Sequence, residues 1–235
     1  MKTEKKEYEH KEVTFEAFIA FDETIEKAPA ILIFHAWKGR DEFVLEKAKW
    51  VSSLGYVGIA LDMYGKGVLG SSPEENGKLM QPLLDDRNLL LSRMEAGLKV
   101  ATDHPRVDKE KMGAMGFCFG GLCALDLARS GASIQGAISL HGLLSPPNYP
   151  TNPKGKILVL HGHDDPMVPP DQVMAFEEEM TKVKADWQVH VYGQTMHAFT
   201  NPIANDPKAG TVYSEIAEKR ALQSVENFFS EIYQA

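Results

Sequence analysis

A cysteine among glycines is the residue of this chain best suited to nucleophilic chemistry. Cys118 lies in Gly116-Phe117-Cys118-Phe119-Gly120-Gly121, after an apolar run typical of a strand and before one typical of a helix. A G-x-nucleophile-x-G segment forms a sharp strand-to-helix turn that exposes the nucleophile, and glycines leave room for that turn. The start of a helix favours negative charge, and the N–H group of Phe119 is placed to bind an oxyanion. We therefore predict that Cys118 is a nucleophile.

An acid and a histidine follow this cysteine at the ends of two later strand-like runs. Asp165 lies in His161-Gly162-His163-Asp164-Asp165, and His197 lies in Thr195-Met196-His197-Ala198-Phe199. The order nucleophile, acid, histidine along the chain is the order that α/β-hydrolases use. His197 is predicted to activate the thiol or to stabilise its thiolate, and Asp165 to orient the imidazole. Asp165 is preferred to Asp164 because the Asp-x-x-Val-Pro pattern places it at the turn.

The same acidic segment could be taken for a metal site, because imidazole and carboxylate groups suit zinc or iron. Alternate residues of a strand face opposite sides, however, and no comparable cluster elsewhere in the sequence completes a two-metal site. We therefore predict no metal at this segment.

Strand-like and helix-like segments alternate along the chain and predict the framework that positions these residues. Residues 30–34 are a continuous apolar run, typical of a strand covered on both faces. A long helix is predicted over residues 83–101, with Arg87 and Arg93 on its exposed side. Such alternation predicts an α/β fold with a mostly parallel central sheet flanked by helices on both faces, in one domain spanning residues 1–235. Reactive groups then collect at the carboxyl ends of the strands.

Charge and cysteine content restrict the environment and the partners. The formal net charge of −8 argues against nucleic acid or an anionic membrane as the main partner. Residues 1–12 are rich in Lys, Glu and His and resemble neither a signal peptide nor a membrane anchor. The two cysteines, Cys118 and Cys123, fall on one short segment, which does not suit a disulfide framework. We expect a cytoplasmic protein that acts on a small molecule; its oligomeric state is not predicted.

These residues together make the chain similar to the dienelactone hydrolase family of α/β-hydrolases. The resemblance extends from Ala30 to the C-terminal helix and is most specific at Met115-Gly116-Phe117-Cys118-Phe119-Gly120-Gly121. Supporting segments are Asp62-Met63-Tyr64-Gly65, His161-Gly162 leading to Asp165, and Met196-His197-Ala198-Phe199. The resemblance implies hydrolysis of small carboxylic esters or lactones through an acyl-enzyme on Cys118. It also implies that Asp165 and His197 complete the triad and that no metal or organic cofactor is needed.

One position departs from the family pattern. Members that cleave dienelactone carry a glutamate at the strand end facing the thiol, and the matching residue here is Ala36, in the segment Phe34-His35-Ala36-Trp37-Lys38-Gly39. Because alanine cannot accept the thiol proton, either His197 activates Cys118 directly or His35 takes part. The N–H group of Trp37, in the turn after the strand, is predicted to be the second oxyanion donor.

The aromatic residues near the elbow predict a small, water-poor pocket to which His35, Ala36, Tyr64 and Phe199 could contribute. A glycine-rich loop over residues 65–82 is long enough to cover it. Two alternatives stay open. The same elbow and triad would serve thioester hydrolysis or acyl transfer, because a fold does not determine the acyl donor. A thiol at a helix start also suits a non-catalytic ligand binder or redox sensor.

Overall fold

The computed structural model describes residues 1–234, which form two compact units. The first unit is Met1–Met115 and the second begins at Gly116. Strand β5 (Val107–Phe117) belongs to both, because the boundary falls two residues before its end. That the whole chain is one domain stays a prediction.

The first unit contains five strands and three helices. They are β1 (Lys2–His10), β2 (Val13–Phe21), β3 (Ala28–Phe34), α1 (Glu42–Ser53), β4 (Val57–Leu61), α2 (Pro73–Asp85), α3 (Arg87–Thr102) and β5. The strands lie side by side in the order β1-β2-β4-β3-β5. Strands β3 and β4 are parallel, whereas β2 is antiparallel to both of its neighbours. Every residue of the predicted apolar run 30–34 is fully buried in β3, as expected of a strand covered on both faces.

Strand β1 is an element that the sequence did not predict. It pairs with β2 in an antiparallel hairpin from Lys2 opposite Phe21 to His10 opposite Val13, so β2 is an inner strand of this unit. Most residues of β1 are charged and exposed. Charged side chains suit an edge strand because they discourage pairing with another chain.

The long helix predicted over residues 83–101 is in fact two helices, and the predicted 65–82 loop is shorter than expected. Asp86 interrupts the helix with a non-helical backbone (φ −117°, ψ 82°), and its carboxylate accepts a hydrogen bond from the N–H group of Leu89 at 2.9 Å. Helix α2 begins inside the predicted loop, where the Ser72 hydroxyl accepts a hydrogen bond from the N–H group of Glu75 at 3.2 Å. Both caps satisfy N–H groups that the first turn of a helix leaves without an intrahelical acceptor.

Neither of the two arginines of α3 is exposed, contrary to the prediction. Arg87 is buried. Arg93 is half-buried, donates a hydrogen bond to the carbonyl oxygen of Met63 and lies over the ring of Phe15. These contacts make Arg93 part of the packing of the first unit.

The second unit contributes three longer strands, two short ones and three helices among the described residues. They are α4 (Phe119–Arg129), β6 (Gly136–Leu140), β7 (Lys156–Gly162), α5 (Pro170–Lys182), β8 (Trp187–Tyr192), β9 (Asn205–Asp206), β10 (Thr211–Val212) and α6 (Glu215–Gln234). Strands β6, β7 and β8 lie side by side and are parallel, and β9 and β10 form a small antiparallel pair.

The predicted α/β architecture with mostly parallel strands is confirmed. Because β6, β7 and β8 are parallel, their carboxyl ends meet at one edge, where the loops that follow them can place side chains together. Across residues 1–234, the structure contains no helix long and apolar enough to cross a bilayer.

Candidate active site

The turn at Cys118 is strained in the way that a nucleophile elbow requires. Cys118 has φ 55° and ψ −116°, a conformation that residues with a Cβ atom rarely adopt. A Cβ atom on Gly116 would lie 2.0 Å from the carbonyl oxygen of Gly120, and one on Gly121 would lie 2.5 Å from the Ser139 hydroxyl. Both positions therefore have room for glycine only.

The two cysteines differ in exposure. Cys118 is partly exposed, whereas Cys123 is fully buried inside α4. Helix α4 begins at Phe119, so the Cys118 thiol lies at the helix end where the dipole favours negative charge. The N–H group of Cys118 donates to the carbonyl oxygen of Leu140 at 3.1 Å, which fixes the elbow against the end of β6. Cys118 is thus the cysteine that a small molecule could reach.

Asp165 and His197 are brought together from the loops after β7 and β8. The Nδ1–H group of His197 donates to Oδ2 of Asp165 at 2.7 Å, and both residues are only 2% exposed. The other oxygen, Oδ1, accepts a hydrogen bond from the N–H group of Met167 at 2.8 Å. Asp164 is exposed instead. The structure therefore places Asp165, and not its neighbour, against the imidazole.

The short hairpin after β8 holds His197 in place. The N–H group of His197 donates to the carbonyl oxygen of Gly210 at 2.9 Å, and its own carbonyl oxygen accepts from Val212 at 3.1 Å. With the backbone fixed on both sides and Nδ1 bonded to Asp165, the ring has one defined orientation. A fixed tautomer and orientation are what a general base needs.

The pKa of His197 results from opposing effects. Burial lowers it, but the negative charge of a Cys118 thiolate and then the hydrogen bond to Asp165 raise it, to about 10. The buried Nε2 atom makes no hydrogen bond of standard geometry within residues 1–234, so Cys118 acts on it mainly as a nearby charge. A negative charge on Cys118 therefore favours the protonated form of His197.

Two further histidines lie close to this pair. The ring of His141 packs edge-on against that of His197, with centroids 5.2 Å apart, and its Nε2 atom lies 2.8 Å from the Thr200 hydroxyl. His161 is buried near Asp165, and burial lowers its pKa. Phe199, predicted to line a pocket, is fully buried with its ring against His141 at 5.1 Å. The only sequence signal for these supporting residues is that they lie at or just after the ends of strands.

The predicted residues of the first unit, His35, Ala36, Trp37 and Tyr64, contact one another. His35 is fully buried; its Nδ1 atom lies 2.7 Å from the carbonyl oxygen of Ala36 and its Nε2 atom 3.0 Å from the backbone nitrogen of Met63. The Tyr64 hydroxyl donates to the carbonyl oxygen of Trp37 at 3.0 Å. Burial lowers the pKa of His35. Since Nε2 already accepts a hydrogen bond, His35 is not placed to take a proton from a thiol.

Within residues 1–234, no group of three or more His, Cys, Asp or Glu side chains has an arrangement that could hold a metal ion. The acidic segment after β7 therefore gains no support as a metal site. Its Asp165 carboxylate is committed to His197 and Met167.

Comparison with known proteins gives the site a family context. The model of the dienelactone hydrolase family matches residues 15–233. An uncharacterized protein of Caenorhabditis elegans is 40% identical over 157 residues, which cover 64% of this chain and 99% of that protein. A putative carboxymethylenebutenolidase of Aquifex aeolicus (strain VF5) is 28% identical over 208 residues, covering 86% of this chain and 87% of that one.

A solved structure is similar over nearly the whole length. The dienelactone hydrolase-like promiscuous phosphotriesterase P91, from metagenomic libraries, is 31% identical, and the match covers 98% of both chains. The TM-score is 0.93. This likeness extends to the overall arrangement of strands and helices.

Proposed function

The chain belongs to the dienelactone hydrolase family, and from this we propose that Cys118, His197 and Asp165 form its catalytic triad. The family and the relatives named carboxymethylenebutenolidase indicate a hydrolase of lactones or esters. The observation that carries the triad is the 2.7 Å hydrogen bond between buried Asp165 and His197, together with the influence of Cys118 on the His197 pKa. The same three residues follow the order expected of this fold.

In the acylation step, the Cys118 thiolate attacks the carbonyl carbon of an ester or lactone. The carbonyl π electrons move to oxygen, and the resulting oxyanion accepts hydrogen bonds from the N–H groups of Phe119 and Trp37. As the intermediate collapses, the carbon–oxygen bond breaks and the His197 imidazolium gives its Nε2 proton to the departing alkoxide. The product is a thioester on Cys118 and a neutral His197.

In the deacylation step, neutral His197 accepts a proton from water through Nε2 while the oxygen of that water attacks the thioester carbonyl. The second intermediate expels the thiolate, which restores the charged pair. Asp165 holds the imidazole orientation and stabilises its cationic form in both steps. This chemistry requires no metal and no organic cofactor.

We expect the substrate to be a small ester or lactone. The close spacing of Cys118 and Cys123 and a formal net charge of −8 fit a cytoplasmic protein whose partners are neither nucleic acids nor membranes. Thioester hydrolysis and acyl transfer use the same groups, so rates with thioesters and with added acceptor alcohols separate them from ester hydrolysis.

The test of the proposal is turnover of short p-nitrophenyl esters and of lactones by the wild type and by Cys118→Ala. We expect the variant to lose nearly all activity, because the acyl-enzyme cannot form. Cys123→Ala is the matched control, since Cys123 is fully buried. Mass spectrometry after incubation with an ester library should show an acyl adduct on Cys118. Equal rates from the wild type and Cys118→Ala would refute the proposed nucleophile.

A second candidate activity is phosphotriester hydrolysis. It is favoured by the 31% identity and full-length match to a protein described as a promiscuous phosphotriesterase. The same thiolate would attack phosphorus and expel an aryl oxide, and the same N–H groups would bind the phosphoryl oxygen. Paraoxon turnover that is absent in Cys118→Ala would support this activity, whereas turnover that survives the substitution would arise elsewhere.

A further inference from the structure

The turn after β3 contains a hydrogen-bond arrangement that bears on oxyanion binding. We infer that His35 is a positioning residue that orients and polarises the peptide group carrying the Trp37 N–H. The inference rests on the proposed function, because that proposal makes this N–H an oxyanion donor. It adds a reason for the turn to hold one conformation, and it assigns a role to a buried histidine that the triad does not use.

The argument begins with the geometry of one peptide group. The Ala36 carbonyl and the Trp37 N–H belong to the same planar trans peptide, as no peptide bond within residues 1–234 is cis. The carbonyl and the N–H point in opposite directions across that plane, so a bond that fixes one also fixes the other. The Nδ1–H group of His35 donates to this carbonyl oxygen at 2.7 Å. That is the short end of the range for N–H···O bonds.

The hydrogen bond also acts on the electrons of the peptide group. A donor at the carbonyl oxygen draws electron density toward that oxygen and makes the N–H at the other end a stronger donor. The carbonyl oxygen of Ala36 also accepts the Gly39 N–H at 3.2 Å, which closes the turn. Two donors therefore act on the peptide whose N–H is proposed to meet the developing negative charge.

His35 is itself held from its other side. The N–H group of Met63 can only donate and the Ala36 carbonyl can only accept, so the ring is the neutral Nδ1–H tautomer with Nε2 as acceptor. Full burial lowers the His35 pKa and so favours this neutral form. Rotating the ring would break both hydrogen bonds at once. The imidazole is thus a rigid link between the turn and the segment after β4.

The segment after β4 is fixed independently. Oδ1 of Asp62 accepts hydrogen bonds from the N–H groups of Tyr64 at 2.9 Å and Gly65 at 3.1 Å. The Tyr64 ring packs edge-on against His35, with centroids 4.7 Å apart, and its hydroxyl donates to the carbonyl oxygen of Trp37. Two successive carbonyl groups of the turn, those of Ala36 and Trp37, are therefore anchored to one rigid segment.

The variants that test the inference separate the donor from the ring. His35→Phe keeps a ring but removes both hydrogen bonds, and His35→Asn keeps a donor near the Nδ1 position. We expect kcat for ester hydrolysis to fall roughly 10- to 100-fold in His35→Phe with KM nearly unchanged, because the oxyanion exists only beyond the ground state. Losing one oxyanion donor outright costs roughly 10²–10³ in rate. His35→Asn should recover part of the loss.

The controls distinguish positioning from general damage. His10→Phe alters another histidine of the first unit, whose Nε2 atom lies 3.0 Å from the Ser92 hydroxyl outside the turn, and should leave kcat unchanged. Alkylation of Cys118 by iodoacetamide forms no oxyanion, so its rate should be the same in the wild type and His35→Phe. Unchanged kcat in His35→Phe would overturn the inference. A parallel loss of alkylation would overturn it too, since it would show damage beyond the oxyanion turn.

A measurement that does not depend on turnover completes the test. In ¹H–¹⁵N spectra, the Trp37 amide proton should move upfield in His35→Phe, partly return in His35→Asn and stay in place in His10→Phe. If the Trp37 amide signal stays in place in His35→Phe, the inference is overturned, whatever the ester turnover of the wild type. Absence of ester turnover in the wild type would instead refute the proposed function, while the amide shift would still report whether His35 polarises this peptide.

Discussion

At the scale of single residues, the charge on His197 depends on the neighbouring side chains of Cys118 and Asp165. Burial alone would favour a neutral imidazole, because a buried cation loses its hydration. The thiolate of Cys118 and the carboxylate of Asp165 more than offset this and raise the pKa to about 10. The His197 pKa therefore depends on three side chains from three loops, and in the proposed triad, removing one partner should change the protonation of another.

We predict that Cys118→Ser lowers the pKa of His197. Serine stays neutral, so the largest influence that raises this pKa disappears, while burial and Asp165 remain. In the wild type, the bound proton stabilises the fold fully below pH 6.5, the ordinary histidine value, and this contribution is lost as the pH rises through about 10. In the variant, the loss should be complete at a lower pH.

NMR titration of ¹³C- and ¹⁵N-labelled histidine rings measures this change directly. Cys123→Ser is the control, because Cys123 is fully buried within α4 and is not among the groups that shift the His197 pKa. The same titration midpoint in the wild type and Cys118→Ser would show that the thiol and the imidazole are not coupled.

The sequence singles out candidate residues with reactive atoms more directly than the residues that contact them. Cys118, Asp165 and His197 stand out because their order and positions after strands are visible in one dimension. His141 also follows a strand, but the sequence does not show its contact with His197, which arises only when β6 and the loop after β8 meet. Nor does the sequence show the bond of Arg93 to the Met63 carbonyl, which joins residues 30 positions apart.

At the scale of elements, the turn from β5 into α4 is limited by backbone contact. A Cβ atom at position 116 would meet a carbonyl oxygen of the helix itself, which cannot move without distorting the first turn of α4. The glycine content of the elbow is therefore a packing requirement as well as a conformational one. In contrast, beyond its chain neighbours and the nearby backbone of its own helix, nothing lies within 4 Å of a Cβ atom added to Gly77 in α2.

We predict opposite effects for alanine at these two glycines. Gly116→Ala should destabilise the fold by about 1–3 kcal/mol, as expected for overpacking, and should also slow Cys118 alkylation. Gly77→Ala should stabilise it by about 0.5–1 kcal/mol, because glycine inside a helix has more conformational freedom to lose. Urea unfolding measures both. Equal stability of Gly116→Ala and the wild type would show that the elbow can relax without cost.

The elements that the sequence failed to predict share a physical cause. Strand β1 is charged along most of its length, so it lacks the alternation of apolar and polar residues that marks a half-buried strand. The break at Asp86 is hidden because Leu83 and Leu90, on either side of it, are both buried and fit one continuous helical period. The spacing of apolar residues indicates which residues of a helix are buried. It does not indicate the residue at which one helix ends and the next begins.

At the scale of the whole molecule, the question is whether the two units unfold together. Strand β5 runs through the boundary between them, from Val107 to Phe117, without a linker. A flexible segment, the usual sign of a domain boundary, is therefore missing at this point. We propose, as the sequence predicts, that the chain unfolds as one cooperative domain.

A buried ion pair in the second unit provides a local change with which to test this. Arg129 is fully buried and binds both carboxylate oxygens of Glu179, at 3.1 and 2.6 Å. It also donates to the carbonyl oxygen of Leu144 at 2.9 Å and lies 3.4 Å from the carboxylate of buried Asp126. The guanidinium group of Arg129 thus links α4 to α5 and to the loop after β6.

Arg129→Met should reduce the free energy of unfolding by about 3–5 kcal/mol, because it leaves the two acidic partners without their cation. In a Trp187→Phe background, the remaining tryptophans, Trp37 and Trp50, report on the first unit alone. If unfolding is cooperative across the chain, their fluorescence and the far-UV circular dichroism should show the same lowered urea midpoint. Lys156→Met, which removes an exposed ion pair with Glu231, should leave that midpoint unchanged. If the urea midpoint of the first-unit fluorescence is the same with and without Arg129→Met, the two units are independent domains. A chain that unfolds cooperatively cannot lose stability in one part and keep it in the other.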